Sequence, residues 1–305
     1  MGIKTVKFGG SSLADAAQFR RVGEIVRADS ARRYVIASAP GKRTPDDIKV
    51  TDMLYRCYEM ARAREDITDY FAKIAERYNA IIRDLGLNYD IAGELAYICD
   101  GINHHTGRDF AASRGEYLSS LILAKYLKYD FIDAESVIFF QENGSFNAEK
   151  TREELRKELK KHERAVIPGF YGVMPNGTIR TFSRGGSDIT GSIVAEAAEA
   201  ELYENWTDVS GCLMADPRIV ENPRPIRTVT YRELRELSYM GASVLHEDAI
   251  FPVRKEGIPI NIKNTNRPED KGTFIVESTC KKPKFTITGI AGKKGFCSIN
   301  IEKSM

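Results

Sequence analysis

The chain predicts an α/β fold with parallel strands, and three observations carry that expectation. Its first apolar run, Thr5-Val6-Lys7-Phe8, ends in Gly9-Gly10 and precedes a helical pattern from Asp15 onward. A second buried strand, Tyr34-Val35-Ile36-Ala37-Ser38, closes on Ala39-Pro40-Gly41. A strand–helix–strand connection of this kind implies parallel pairing. Further on, Gly185-Gly186 again stands between a short strand-like run and a helical pattern.

The first turn has chemical content. Two glycines let backbone approach a ligand closely and aim N–H groups at an anion. The helix behind them, over 15–28 with Phe19, Val22, Ile25 and Val26 on one face, points its positive end at the same place. Lys7 adds a full charge at the strand's end, where open α/β sheets bind ligands. A strand whose loop merely needs glycine accounts for the same residues. Neither G-x-G-x-x-G nor G-x-x-x-x-G-K-[ST] occurs, which excludes the usual dinucleotide and P-loop motifs.

Composition narrows the class. A chain of 305 residues can bury one large core or two smaller ones. The 45 basic and 43 acidic residues nearly cancel, so nothing suggests a nucleic-acid or membrane surface. No N-terminal h-region is present, and no apolar run approaches the ~20 residues that span a bilayer. Val6 stands where a myristoylation signal needs Ser or Thr. Cys57, Cys99, Cys212, Cys280 and Cys297 form no C-x-x-C pair, which points to reduced thiols and a cytoplasmic protein. His104, His105, His162 and His246 match no metal-ligand spacing, and no residue is assigned as a metal ligand.

Taken in order, helices are expected over 50–64, 67–85, 90–99 and 113–127, then strands near 131 and over 137–140. A charged helix over 151–161 reads as a solvated face. A strand and turn follow over 165–170. The second informative stretch is Thr181-Phe182-Ser183-Arg184-Gly185-Gly186-Ser187-Asp188. Ser187 suits an N-cap and Asp188 the first helical turn, while Arg184 could hold a carboxylate bidentately. Equally, Asp188 could be a dipole-favourable helix residue and Arg184 a surface charge. Strands over 202–206, 259–263 and 272–276 and helices over 231–239 and 244–255 complete this part. After a linker at 281–284, strands over 285–290 and 296–301 read as the opening of another small unit, which two strands cannot complete alone.

Two glycine turns, each with a helix behind it and a cation nearby, suit a site that cages several negative charges, as phosphoryl transfer requires. An amino-acid acceptor fits the same set. Its carboxylate wants Arg184, its ammonium wants Glu116, and the phosphates want Lys7 and backbone N–H groups. No histidine base lies in these motifs. A side-chain carboxylate nucleophile, with a pKa of about 4, needs none. Glu116 has a competing reading: Ser113-x-x-Glu116 matches a capping box, as do Thr151-x-x-Glu154 and Thr230-x-x-Glu233.

At this point the motifs resemble a known family. Lys7-Phe8-Gly9-Gly10-Ser11-Ser12 is similar to the K-F-G-G-[ST]-S signature of aspartate kinases, in the amino acid kinase superfamily. The resemblance continues through Lys49-Val50-Thr51-Asp52, Ser113-Arg114-Gly115-Glu116, Ser183 to Asp188, Trp206-Thr207-Asp208-Val209, Ala215-Asp216-Pro217-Arg218, Glu236 to Ala242 and Asn264-Thr265-Asn266. It implies a three-layer α/β/α sandwich around a mainly parallel sheet, the amino acid kinase fold, over 1–282. The start of an α+β ACT regulatory domain would occupy 283–305. The implied reaction is ATP plus L-aspartate giving 4-phospho-L-aspartate and ADP with Mg²⁺, opening lysine, threonine, methionine and diaminopimelate synthesis.

Residue by residue, the resemblance makes Lys7 the group that steadies the transferring phosphoryl, with Gly9, Gly10 and Ser11 on the nucleotide. Asp188 would organise the catalytic cations. Ser38, Thr51, Glu116, Arg184 and Ser187 would hold aspartate, and Thr207, Asp208, Asp216 and Arg218 would line the ATP site. Two departures touch nucleotide contacts: Ser243 stands where many relatives have Lys, and Leu213 where many have Tyr. Family members usually carry a pair of ACT domains that bind lysine or threonine and help build a homodimer. The short ACT stretch here leads to the expectation that this chain lacks intact inhibition by those amino acids. Two alternatives stay open: a sister kinase acting on N-acetylglutamate, glutamate or UMP, and a non-catalytic amino-acid-sensing subunit. Glu116 speaks for a free ammonium, and Lys7, Arg184 and Asp188 speak for catalysis.

Overall fold

Alternation along the strands decides the layering. In the computed structural model, which describes residues 2–104, 106–183, 185–239, 245, 250–279, 286–292 and 295, strand β1 (Lys4–Phe8) buries Val6 and Phe8 in one core. Thr5 and Lys7 fall on the opposite face, as a period of two requires. Strand β2 (Arg32–Ala37) repeats this, with Val35 and Ala37 in the first core and Tyr34 and Ile36 in a second. A sheet that is apolar on both faces must be covered on both.

The covering helices come in two sets. Helices α1 (Ala16–Arg27), α2 (Val50–Arg62), α3 (Thr68–Leu85), α4 (Ala92–Asn103) and α5 (Arg108–Leu127) supply Phe19, Leu54, Ile74, Ile98 and Leu118 to the first core. Helices α6 (Ala148–Leu159), α7 (Gly186–Ala197), α8 (Tyr231–Tyr239) and α9 (Phe251–Lys255) supply Leu155, Ile193, Leu234 and Val253 to the second. Each such side chain, fully buried, stabilises the fold by roughly 1.5–3 kcal/mol. This is the three-layer α/β/α arrangement expected.

The remaining strands are β3 (Asp130–Phe131), β4 (Ala165–Pro168), β5 (Tyr171–Val173), β6 (Ile179–Thr181), β7 (Leu202–Thr207), β8 (Thr228–Thr230), β9 (Ile260–Asn264) and β10 (Thr273–Val276). The main sheet runs β3-β4-β2-β1-β7-β9-β10-β8. Every neighbouring pair is parallel except β9 with β10. The C-terminal ends of β4, β2, β1, β7 and β9 therefore share one edge. Among the described residues no helix is long and apolar enough to cross a membrane. Cys57, Cys99 and Cys212 are free thiols, as the cysteine spacing predicts.

Several local expectations fail, each for a physical reason. Helix α5 begins at Arg108, five residues before the predicted start, so Ser113 lies inside it and bonds the Phe110 carbonyl at 2.8 Å. Helix α6 begins at Ala148 behind an Asn147 cap, which places Thr151 inside, accepting from Phe139 N. Of the three S/T-x-x-E matches only Thr230-x-x-Glu233 is a capping box: Glu233 accepts from Thr230 N at 2.8 Å and returns its own N–H to Thr230 Oγ1 at 3.2 Å. The strand predicted over 137–140 is reduced to single bridges from Phe139 to Val173 and from Phe140 to Phe146. Strands β5 and β8 were not foreseen from periodicity, and β6 only as the short run before Gly185, because three-residue strands carry too little of it.

Of the helix expected over 244–255, the part Phe251–Lys255 is seen as α9, while 244 and 246–249 lie outside the described residues. Of the expected ACT segment, residues 286–290 form no strand. They pack on α8 instead, with Thr288 donating to Glu233 and Ile290 N–H to Met214 O. Most of the rest of 283–305 lies outside the described residues.

His162 clamps α6 to the edge of the sheet. Its Nδ1 lies 2.8 Å from Asp130 and its Nε2 3.2 Å from Glu158. The hydrogen bond with Asp130, and then that with Glu158, raises its pKa against the desolvation that would lower it. A raised folded-state value stabilises the fold below the unfolded value of about 6.5 and loses that contribution as pH rises through the folded one. The expected outcome is that His162→Gln is less stable than wild type below about pH 6.5, with the difference fading as pH rises. Urea denaturation across that range checks it.

Candidate functional site

Five strand ends meet on one edge, and the loops leaving them build the site. Lys7, on the α7 face of β1, places Nζ 2.6 Å from Oδ1 of Asp188 in the first turn of α7. Asn205, the register partner of Lys7 on β7, donates Nδ2 to the same oxygen at 2.9 Å. The backbone beneath is fixed: Tyr203 OH donates to the Asp188 carbonyl at 3.1 Å, and Asp188 N–H to Gly185 O at 2.8 Å. Gly185, not the predicted Ser187, caps α7. Its φ of 58° is a left-handed conformation that glycine enters without penalty. Ser187 is instead the second helical residue, buried against Gly169, where a Cβ would lie 2.6 Å from its own.

The turn after β1 sits against the loop after β2. Gly41 N–H donates to Gly10 O at 2.7 Å. A Cβ on Gly41 would lie 2.7 Å from Gly10 C and 2.8 Å from Ser11 N. The Gly9 N–H is committed to Trp206 O at 3.0 Å, extending the ladder to β7. This corrects the expectation that Gly9 offers its N–H to phosphate: strand pairing has already taken it. Gly9 stays beside the charge all the same, since a Cβ there would lie 3.5 Å from Lys7 Nζ.

Ser38 ends β2 half-buried, its N–H on Phe8 O, and Thr51 is the second residue of α2, whose Val50 N–H reaches Pro40 O. Glu116 approaches the same loop from α5. It is 6% exposed, accepts a hydrogen bond from the Ala39 backbone, and its Oε2 has no partner. Desolvation pushes its pKa up to about 8, with the Ala39 bond opposing. One buried carboxyl oxygen is thus left unpaired, and the capping role is excluded by where α5 starts.

Loop ends on the other side are joined as well. Ser12 Oγ and Thr265 Oγ1 lie 2.7 Å apart in the interior, and Thr265 N–H donates to Thr207 O. Thr207 Oγ1 reaches Asp208 at 3.2 Å. Asp216 and Arg218 pair with each other at 2.6 Å, Arg218 being 87% exposed and holding the Asp216 carboxyl down to about 2. Neither is recorded in contact with Lys7 or Asp188. Arg184 and Ser243 lie outside the described residues; Leu213 is exposed and bridges Pro225.

Three supporting residues escape sequence reasoning. Arg77 of α3 is buried and binds Asp47 at 2.9 Å, Ala14 O at 3.2 Å and the Gly41 carbonyl, joining both loops from behind. Asp109, at the start of α5, accepts from Thr181 N and Oγ1 and so holds the end of β6, the strand that precedes α7 in the chain. Asn205 carried a signal: a polar residue within a strand otherwise buried on both faces.

This site, on this sheet, defines the class: the chain belongs to the amino acid kinase family, whose pattern matches residues 3–264. It is 41% identical to aspartokinase 3 of Bacillus subtilis over 315 aligned residues, covering 99% of this chain and 69% of that protein. It superposes on the aspartate kinase of Clostridium acetobutylicum with a TM-score of 0.91 at 53% identity, covering 95% of this chain and 66% of that one. Aspartokinase III of Escherichia coli, solved in complex with aspartate and ADP, superposes at 0.79 with 27% identity, over 91% of this chain and 65% of that one.

The Gly10–Gly41 contact is backbone on backbone, so neither side can rotate away. Gly41→Ala is expected to destabilise the fold by about 1–3 kcal/mol, measured as a shift in urea midpoint at unchanged m-value.

Proposed function

We propose that the chain transfers the γ-phosphoryl of ATP to the side-chain carboxylate of L-aspartate, giving 4-phospho-L-aspartate and ADP. In the cell this would open lysine, threonine, methionine and diaminopimelate synthesis, in the cytoplasm. The observation that carries the reading is the buried Lys7–Asp188 pair at 2.6 Å between two glycine turns. The relatives just described support the acceptor and the nucleotide.

The acceptor carboxylate is deprotonated at pH 7 and needs no general base. What it needs is relief from anion–anion repulsion, about 4 kcal/mol for two unit charges 4 Å apart at an effective dielectric of ~20. Lys7 supplies a cation at that point, and the Gly10–Ser11 turn and the start of α7 supply oriented N–H groups. Ser38, Thr51, Glu116, Arg184 and Ser187 would hold aspartate; Thr207, Asp208, Asp216 and Arg218 would border the nucleotide.

Among the described residues no cluster of three or more His, Cys, Asp or Glu could hold a metal by itself. That suits Mg²⁺, which usually rests on one or two carboxylates plus substrate phosphates, and Asp188 is the carboxylate available here. When bound, the ion would neutralise charge on the phosphates. In the same proposal residues 1–282 form the catalytic unit and 283–305 open an ACT unit, with homodimeric assembly and a lysine or threonine effector where the ACT region is complete.

The test is ADP release from Mg-ATP with L-aspartate, beside N-acetylglutamate, L-glutamate and UMP. Aspartate-dependent turnover is expected, falling about 10²–10³-fold in Lys7→Ala. Turnover only with another acceptor overturns the substrate. Glu116 gives a second, independent readout. Its carboxylate must be charged to hold an ammonium, yet its pKa in the free protein is about 8. Binding therefore releases a proton, and the KM for L-aspartate should fall about tenfold per unit as pH rises toward 8, then level off. In Glu116→Gln that slope disappears.

A further inference from the structure

We propose that Asn205 is a positioning residue for Asp188, keeping its carboxylate in place when Lys7 shares its charge with the transferring phosphoryl group. The inference rests on the phosphoryl-transfer reading above.

Strand β7 lies in the middle of a sheet covered on both faces, where apolar residues are the rule. Yet Glu204 and Asn205 are 3% and 4% exposed. Glu204 belongs to a closed group on one face: Arg32 Nε donates to it at 2.8 Å and Trp206 Nε1 at 2.9 Å. Asn205 faces the other way, beside Lys7, and its amide reaches Asp188. Burying an amide is unfavourable unless it is bonded, so its partner accounts for its presence.

The geometry is that of two donors on one oxygen. Lys7 Nζ and Asn205 Nδ2 both meet Oδ1 of Asp188, at 2.6 and 2.9 Å. An ammonium has three donors, so Lys7 can meet an incoming phosphate while still facing Asp188, but the charge it then shares with the phosphate weakens its hold on the carboxylate. If Lys7 were the sole tether, Asp188 would be held least firmly when its direction matters most. The Asp188 backbone is fixed through Tyr203 and Gly185, so the side-chain torsions are the freedom that remains. Asn205 restrains them from a rigid strand. Being neutral, it binds phosphate less strongly than Lys7 and does not repel Asp188.

The test uses the full chain and two measurements. In steady-state assays Asn205→Leu, similar in size but without the donor, is expected to lose about tenfold in kcat with the KM for L-aspartate within about twofold. Asn205→Asp, which sets a like charge against Asp188, should lose more. In thermal melts Asn205→Leu should lower the midpoint in the wild-type background and leave it unchanged in Asp188→Ala, because the lost contact is already absent there. Should Asn205→Leu fail to fold, Asn205→Ala carries the same comparisons. A kcat within twofold of wild type, or an equal drop in midpoint in both backgrounds, overturns the proposal. If wild type itself turns over no acceptor, the functional reading has failed and the melting cycle alone decides whether Asn205 tethers Asp188.

Discussion

The site depends on a place where two backbones touch with no side chain between them. Gly10 and Gly41 leave adjacent parallel strands and meet through an N–H···O bond of 2.7 Å. Parallel strands deliver their loops to one edge but do not join them, and here the joining is done by main chain. Arg77 reinforces the contact from behind. Its guanidinium accounts for the carbonyls of Ala14, Ile48 and Gly41 and for the carboxylate of Asp47, whose pKa the Arg43 hydrogen bond holds well down, with Arg77 assisting. One buried cation thus fixes two loops that β1 and β2 merely bring close. Arg77 pays part of the desolvation penalty in its own lowered pKa.

Two kinds of buried charge lie on either side of that contact. Lys7 and Asp188 are largely buried and satisfy each other, so the burial of each charge is compensated. Glu116 has no ion-pair partner among the described residues: backbone N–H groups of Ala39 and of Glu116 itself answer its carboxyl, Arg114 acts only through space, and Oε2 has no hydrogen-bond partner. A charge kept waiting in this way favours the neutral form until a ligand brings the missing counter-charge. The sheet separates the two arrangements, since Lys7 belongs to the α7 face and Glu116 to the α5 layer, and they meet where the loops cross the edge.

What the sequence disclosed follows how local each signal is. The strand ending at Lys7 and Phe8, the Gly10 turn and the helix start at Asp188 were legible as structure because strand, turn and helix follow within a few residues. Glu116 was ambiguous because S-x-x-E spells a cap as readily as a binding carboxyl. Only the true start of α5 at Arg108, set by packing against β6, separates the two. Gly9 was misread because its N–H is taken by a strand nearly two hundred residues later. Arg77 and Asp109 act entirely across the fold, on loops 29 or more residues away, and leave no local trace. Most elements were readable from periodicity, and the three layers from the resemblance; the three-residue strands and the 137–140 segment were not, because tertiary pairing outweighs so short a pattern.

Helix α5 has a further consequence. Asp109 near its start holds the end of β6, and Gly115 presses on Ala39, the loop after β2 that Glu116 also touches. The span between those two loops is the rise from Asp109 to Glu116, about 10 Å of rigid helix. Such a ruler has no fine graduation. One inserted residue would swing Glu116 by about 100° and carry it away from Ala39, whereas a whole turn would keep its direction and lengthen the span by ~5 Å. The distance from the end of β6 to the loop after β2 can therefore change only in steps of a helical turn, and intermediate spacings must be met by the loops.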